Sequence, residues 1–114
     1  MIETLIQIED ILDSDEVIVS YLKCSLRTFT DREIYKPGVI VSTNKKVLFY
    51  GFKLGDIKFI EKYPYKEISF IQEKEDILKS SIVMYCNNES IKVSNILSEN
   101  INEFINIVKE KISM

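Results

Sequence analysis

Hydrophobic and polar residues alternate with period two through most of the chain and switch to helical spacing at both ends. Apolar residues are densest in Gly38-Val39-Ile40-Val41-Ser42-Thr43-Asn44-Lys45-Lys46-Val47-Leu48-Phe49-Tyr50-Gly51, where continuous β-branched and aromatic runs flank a polar centre. The pattern predicts two antiparallel strands joined by a tight turn at Asn44 and Lys45, asparagine being tolerant of the left-handed backbone a hairpin turn wants. In that register Val41 faces Leu48, Ile40 faces Phe49 and Val39 faces Tyr50, with a glycine closing each end. Both faces of the hairpin are then apolar. One can be the core; the other must be covered by another piece of the chain or by a partner.

Residues 2–12 set Ile2, Leu5, Ile6, Ile8 and Leu12 among Glu3, Gln7, Glu9 and Asp10, which predicts a short amphipathic helix. The acidic run Asp13-Ser14-Asp15-Glu16 lacks the glycine and distal glutamate of an EF-hand loop and reads as a solvated linker. A first strand over 17–26 places Ile18, Ser20, Leu22, Cys24 and Leu26 on one side, with Val19, Tyr21, Lys23 and Ser25 on the other. From 27 to 38 the pattern dissolves into a charged loop containing Thr28, Thr30, Asp31, Arg32, Glu33, Lys36 and Pro37. Beyond the hairpin, Lys53-Leu54-Gly55-Asp56 is a turn, and a strand over 57–63 sets Ile57, Phe59 and Tyr63 against Lys58, Ile60 and Lys62 before Pro64 ends it. Tyr65-Lys66-Glu67 is a corner, strands follow at 68–74, 81–86 and 90–94, and Asn87-Asn88-Glu89 turns between the last two.

The final segment aligns Ile101, Phe104, Ile105, Val108 and Ile112 in one helical stripe. Asn100 and Glu103 resemble a capping box, and Lys109 and Lys111 suit the negative end of the helix dipole. The expected architecture is mainly β: a barrel or roll of seven antiparallel strands capped by a C-terminal helix, with a short N-terminal amphipathic helix. One domain over 1–114 is expected, comprising a helix and linker at 1–14, the strands at 17–96 and the capping helix at 98–113.

Composition narrows the chemistry. The length of 114 residues allows one domain with a real core, and a balance of 46% hydrophobic to 29% charged residues is that of a folded protein. A net charge of −3 opposes nucleic acid and anionic lipid, so neither a nucleic-acid partner nor membrane association is expected. Met1-Ile2-Glu3-Thr4 lacks the basic start of a signal peptide, which points to the cytoplasm and leaves Asn88-Glu89-Ser90, a glycosylation pattern, as a plain turn. There is no histidine, Cys24 and Cys86 lack Cys-x-x-Cys spacing, and no phosphate-cradling glycine motif is present. The two cysteines read as core hydrophobes, and Glu73, Glu75 and Asp76 as a charge-rich turn. No enzymatic activity, cofactor, metal ion or small-molecule substrate is expected.

Residues 39–50, with their Thr43-Asn44-Lys45-Lys46 centre, resemble the hairpin of the bacterial pleckstrin-homology (PH) families, closest to the YokE-like group. Tyr63-Pro64-Tyr65-Lys66-Glu67-Ile68 is similar to that family's Pro-Tyr corner, and Ile91-Lys92-Val93-Ser94-Asn95-Ile96 to its last strand. The resemblance covers roughly residues 17–112; Lys46 stands where the family often has arginine, a small change at an exposed turn. It implies a PH-like barrel closed by the C-terminal helix, and a binding or scaffolding module acting through protein interaction or self-assembly, with the chain itself or another protein as partner. The two-faced hairpin and the N-terminal helix make Ile2, Leu5, Ile6, Val47 and Phe49 the candidate interface. The alternative is an anionic head-group module, since eukaryotic phosphoinositide binders of this fold use basic residues around the first inter-strand loop. The candidates are Arg27, Arg32, Lys36 and Lys53, with Lys23 and Lys58 nearby, although the second strand is without basic residues and Asp31 and Glu33 dilute the loop.

Overall fold

The computed structural model describes residues 2–29, 32–54, 57–75, 79–97 and 100–114, with the side chains of 53, 54, 57 and 58 excepted. Helix α1 (Ile2–Ile11) precedes strands β1 (Ile18–Phe29), β2 (Glu33–Thr43), β3 (Lys46–Leu54) and β4 (Ile57–Pro64). A 3-10 turn (Tyr65–Glu67) leads to β5 (Ile68–Glu75), β6 (Ser80–Cys86), β7 (Glu89–Ser94) and helix α2 (Ile101–Ile112). The strands form one antiparallel sheet in the order β4-β3-β2-β1-β7-β6-β5. Among the described residues no ladder joins β4 to β5, so the sheet is an open roll rather than a hydrogen-bonded barrel.

The central hairpin adopts the register its pattern dictates, Val39 opposite Tyr50, Ile40 opposite Phe49 and Val41 opposite Leu48, with Gly38 opposite Gly51. Period two then sends its side chains to two cores. Ile40, Val47 and Phe49 join Leu22, Cys24, Leu26, Met84 and Val93 inside the roll, where Phe104, Ile105 and Val108 of α2 plug it. Val39, Val41, Leu48 and Tyr50 form a second cluster on the outside, covered by Ile8 with Leu5, Ile11 and Leu12 of α1. The Tyr50 hydroxyl donates to Gln7 Oε1 at 3.0 Å, fixing the helix over that face. Both cysteines are buried, unpaired and packed in the main core, and burial pushes the Cys24 thiol up to about 12.

Several sequence expectations change. The charged loop over 27–38 is a continuation of the sheet: Arg27 pairs with Tyr35, Thr28 with Ile34 and Phe29 with Glu33. Pairing of β2 with β3 begins only at Gly38, and pairing of β1 with β7 stops at Leu26. Residues 27–29 and 33–37 therefore project as a two-stranded arm, and Pro37, which has no N–H to donate, falls where β2 has lost its β3 neighbour. A register shift between Ile18 and Ser20 breaks the alternation of β1, so Ile18 packs with the outer cluster while Ser20 is buried. Glu73 and Glu75 lie on β5 rather than in a turn, and Asp76 is outside the described residues. Asn100 is the N-cap of α2, but at φ −102° and ψ 37° its side chain makes no capping hydrogen bond; the Phe104 N–H bonds to the Asn100 carbonyl at 3.1 Å instead.

The largest departure is the acidic run before β1, which is a clasp and not a solvated linker. Glu16 is buried; its carboxylate accepts from Lys46 Nζ at 2.7 and 2.8 Å and from the Thr43 hydroxyl at 2.5 Å. Thr43 Oγ1 in turn accepts the N–H groups of Lys45 and Lys46, each at 3.0 Å, closing the hairpin turn. Asn44 makes its contribution through its side chain: the left-handed residues among those described are Asn87, Asn88 and Asn95, not Asn44. Its Oδ1 accepts from the Val17 N–H at 2.8 Å and its Nδ2 donates to the Asp15 carbonyl at 3.0 Å. Lys45 pairs with Asp15 at 2.6 Å and Asp13 at 3.2 Å in the open, where solvent screens both pairs. Tyr65, from the Pro-Tyr corner, donates to the Thr43 carbonyl at 2.6 Å, and burial, together with the Glu16 charge, pushes its hydroxyl up to about 12.

Two outcomes check this account. A Cβ at Gly38 would meet the Tyr50 carbonyl oxygen at 2.2 Å and Phe49 Cζ at 2.7 Å. Gly38→Ala is therefore expected to cost about 3 kcal/mol in urea unfolding, whereas Gly51→Ala, whose contacts are looser, costs less. Burial alone would raise the Glu16 carboxyl, but the hydrogen bonds from Lys46, Thr43 and the Asp13 N–H, with the Lys46 charge, hold it below its ordinary 4.5. A lowered folded-state value adds stability that is fully present above the unfolded value and is lost as pH falls through the folded one. Lys46→Met, which strands the buried carboxylate, is expected to cost about 3 kcal/mol at pH 7 and to flatten the acid limb of the stability profile below pH 4.5. An unchanged acid limb would place the titration elsewhere.

Candidate functional site

Where β1 and β7 part, a cleft of about 680 Å³ opens beneath the arm. Leu26, Phe29, Phe59, Tyr63 and Ile91 supply apolar walls, and Arg27, Lys36, Glu61 and Glu89 supply charge of both signs. Leu26 and Tyr63 are inward residues of the main core, so the cleft reaches to the open end of the roll. The Lys36 ammonium lies 4.1 Å from the centre of the Phe59 ring, and the Arg27 guanidinium 5.2 Å from that of Phe29, which is 65% exposed. Arg27 NH2 donates to Ser90 Oγ at 3.5 Å, at the edge of hydrogen-bond range, while its Nε is buried with no hydrogen-bond partner among the described residues.

The arm also presents backbone. On the β7 side, residues 27–29 of β1 have no strand partner, because the β1–β7 ladder consists of Ser25 with Ser94 and Leu26 with Val93. An unpaired strand edge beside a cleft is a place where an extended segment can add main-chain hydrogen bonds. Burial pushes the Tyr63 hydroxyl up, with Glu61 and Glu89 adding to the effect, so it stays protonated as a donor.

Of the residues singled out from sequence, Arg27 and Lys36 meet in this cleft, on strands rather than in a loop. Arg32 is exposed at the tip of the arm and does not line the cleft, and the side chains of Lys53 and Lys58 lie outside the described residues. Lys23 points elsewhere, 5.9 Å above the Phe52 ring. The proposed interface divides by strand parity: Leu5 covers the outer cluster, Ile2 and Ile6 remain exposed, and Val47 and Phe49 are fully buried on the inner face, where they can meet no partner. Glu61, Glu89 and the orphaned Arg27 Nε were not foreseen; the alternation of residues 33–36, glutamate, isoleucine, tyrosine and lysine, was the signal that the arm was strand.

The sequence matches the family described as "Bacterial PH domain" over residues 12–110, the whole sheet and most of α2. The chain belongs to the bacterial PH domain family. Its fold is similar to that of a pleckstrin homology domain from Shewanella amazonensis, with 12% identity, a TM-score of 0.66, and coverage of 98% of this chain and 97% of that one. It is similar to a DUF1696 family protein with a pleckstrin-homology domain from Shewanella loihica, with 12% identity, a TM-score of 0.60, and coverage of 96% and 94%. A C-terminal domain of an unknown protein from Leishmania infantum aligns at 15% identity and a TM-score of 0.66 over 98% and 94% of the two chains. At these identities the likeness is one of fold. No curated protein sequence matches the chain. No helix among the described residues is long and apolar enough to cross a membrane.

The buried, unpaired Nε offsets what the Phe29 and Ser90 contacts of Arg27 add to stability. Arg27→Met removes the unsatisfied buried donor and gives up the guanidinium's contact with the exposed Phe29 ring and its long bond to Ser90. It is expected to leave the urea midpoint level or to raise stability by about 1 kcal/mol, and a loss of that size would show the guanidinium to be structural instead.

Proposed function

We propose that this protein is a non-enzymatic binding module that takes an extended segment of another protein into the cleft beneath the arm. The observation that carries the reading is the parting of β1 from β7, which leaves a strand edge open beside a cleft of mixed chemistry. An extended peptide supplies main-chain groups to that edge, an acceptor for Arg27 Nε, apolar side chains for Phe29 and Phe59, and charges of either sign opposite Arg27, Lys36, Glu61 and Glu89. The two carboxylates in the lining argue against an anionic head group at this position, since each repels the charge that Arg27 and Lys36 would attract.

Self-association is the less favoured partner choice. The second apolar face, which demanded a cover, receives one from α1, leaving Ile2 and Ile6 as scattered exposed positions of that helix. The resemblance of the Thr43-Asn44-Lys45-Lys46 turn supports, as part of the same proposal, a YokE-like chain acting in the cytoplasm.

Selection of short linear peptides displayed on phage tests the reading. The wild-type chain is expected to enrich peptides that Arg27→Glu and Phe29→Ala no longer bind, while both variants retain the wild-type melting temperature. Enriched peptides that bind all three chains equally would remove the cleft from consideration.

A further inference from the structure

Strand parity fixes what the cleft offers to a guest. The Lys23 carbonyl accepts from the Leu97 N–H at 3.0 Å, so Lys23 turns its main chain away from β2 although it sits opposite Val39. Alternate residues of a strand share that direction, which points the main chains of Ser25, Arg27 and Phe29 the same way. Ser25 meets Ser94 in the β1–β7 ladder, and Leu26 with Val93 is its last pair. The carbonyl of Arg27 and both main-chain groups of Phe29 therefore face a gap where a strand would stand.

The cleft is that gap. Leu26, Arg27, Thr28 and Phe29 line it without interruption, as do Glu89, Ser90 and Ile91, whereas a pocket on one face of a strand touches every second residue. It is a wedge between two strand edges, open toward Phe29 and Ser90 and shut where Leu26 meets Val93. A strand laid along the β1 edge reaches that closed apex after the residue opposite Arg27, so the chain that fills the wedge ends there. Because β1 runs toward the open side, an antiparallel guest enters with its C-terminus first.

A guanidinium stands at the apex. Arg27 and Ser90 lie on the outer face, since Leu26 and Ile91 beside them face the core, and the long bond from Arg27 NH2 to Ser90 Oγ spans the wedge. Nε, buried and without a hydrogen-bond partner among the described residues, shares one edge of the guanidinium with NH2. Two nitrogens on one edge grip a carboxylate with parallel, charge-assisted bonds. Glu89 has the parity of Ile91, and Glu61 that of Tyr63, which puts both carboxylates on the inner face, away from that edge.

We propose that the cleft receives the free C-terminus of a partner protein, antiparallel to β1, with its α-carboxylate on the Nε and NH2 edge of Arg27. This rests on the peptide reading above and adds which end of the peptide enters. The last residue lies opposite Arg27 and donates its N–H to the Arg27 carbonyl; its carboxylate replaces the long bond to Ser90. The penultimate residue lies opposite Thr28 and projects to the inner face, between Phe59, Tyr63 and Ile91. Glu61 and Glu89 outnumber Lys36 there, so a long side chain with an apolar stem and a cationic tip suits the position.

The test is an array of synthetic pentapeptides tethered by their N-termini, with free C-termini and the last two positions varied over all residues. The strongest binders are remade as acids and as C-terminal amides and titrated in solution by fluorescence polarisation. Lysine or arginine is expected at the penultimate position, and amidation is expected to weaken binding at least about tenfold. Arg27→Met should bind acid and amide alike, whereas Phe29→Ala should weaken both forms and keep their difference. Acids and amides that bind the wild type equally, with both lost in Phe29→Ala, leave the peptide cleft standing and overturn the terminus. An acid preference that persists in Arg27→Met, or an array without binders whatever the phage selection yields, overturns it as well.

Discussion

A strand pair that is apolar on both faces cannot be half-buried, and the rest of the molecule is arranged to satisfy it. Ile40 and Phe49 on one side, and Val41 and Leu48 on the other, follow from period two and admit no register that exposes either set cheaply. The chain answers with a helix for each face. One arrives at the end, α2, and closes the roll; the other arrives at the start, α1, and lies over the outer cluster. Helix α1 buries its apolar face on the hairpin's outer side, and α2 closes the core that the inner side shares with β1 and β5, so neither is an appendage.

A helix covering a face must also be held there, and a ten-residue helix has little propensity to form alone. The clasp supplies the tether. Thr43 organises the turn through its hydroxyl, Lys46 neutralises Glu16, and Asn44 holds the backbone of the incoming β1, so one turn fixes the chain entering the sheet as well as the hairpin itself. Tyr65 braces the same turn from the far side of β4. Lys46 is therefore no surface position, and an arginine there would have to reach the same buried carboxylate with a larger, planar group.

Sequence reasoning recovered what periodicity governs: the seven strands, both helices, the hairpin register and the PH-like class. It missed what depends on which residue comes to lie beside which. Asp13 to Glu16 look like any polar linker, because nothing local reveals that Glu16 meets Lys46 thirty positions later. Pro37 and a high local charge made the arm look like a loop, since the rule against proline in a strand assumes neighbours on both sides and β2 has lost one there. Val47 and Phe49 were assigned to the wrong surface because an apolar hairpin carries no mark of which face turns inward. Arg27 and Lys36 were found by charge, but the carboxylates that share their cleft come from β4 and the start of β7, and only the roll brings them near.

The position of Pro37 has a consequence for how far any pairing on the arm can spread. A projecting ribbon has two margins, each a template on which further chains could stack into fibres. On the β2 margin the missing amide of Pro37 interrupts the donor series just where β3 ceases to shield it, and Glu33 and Lys36 add charge nearby. The β1 margin over 27–29 faces the cleft lined by Phe59, Tyr63 and Ile91, not open solvent. A strand added at the arm, as proposed above, would therefore end the ladder there instead of propagating it.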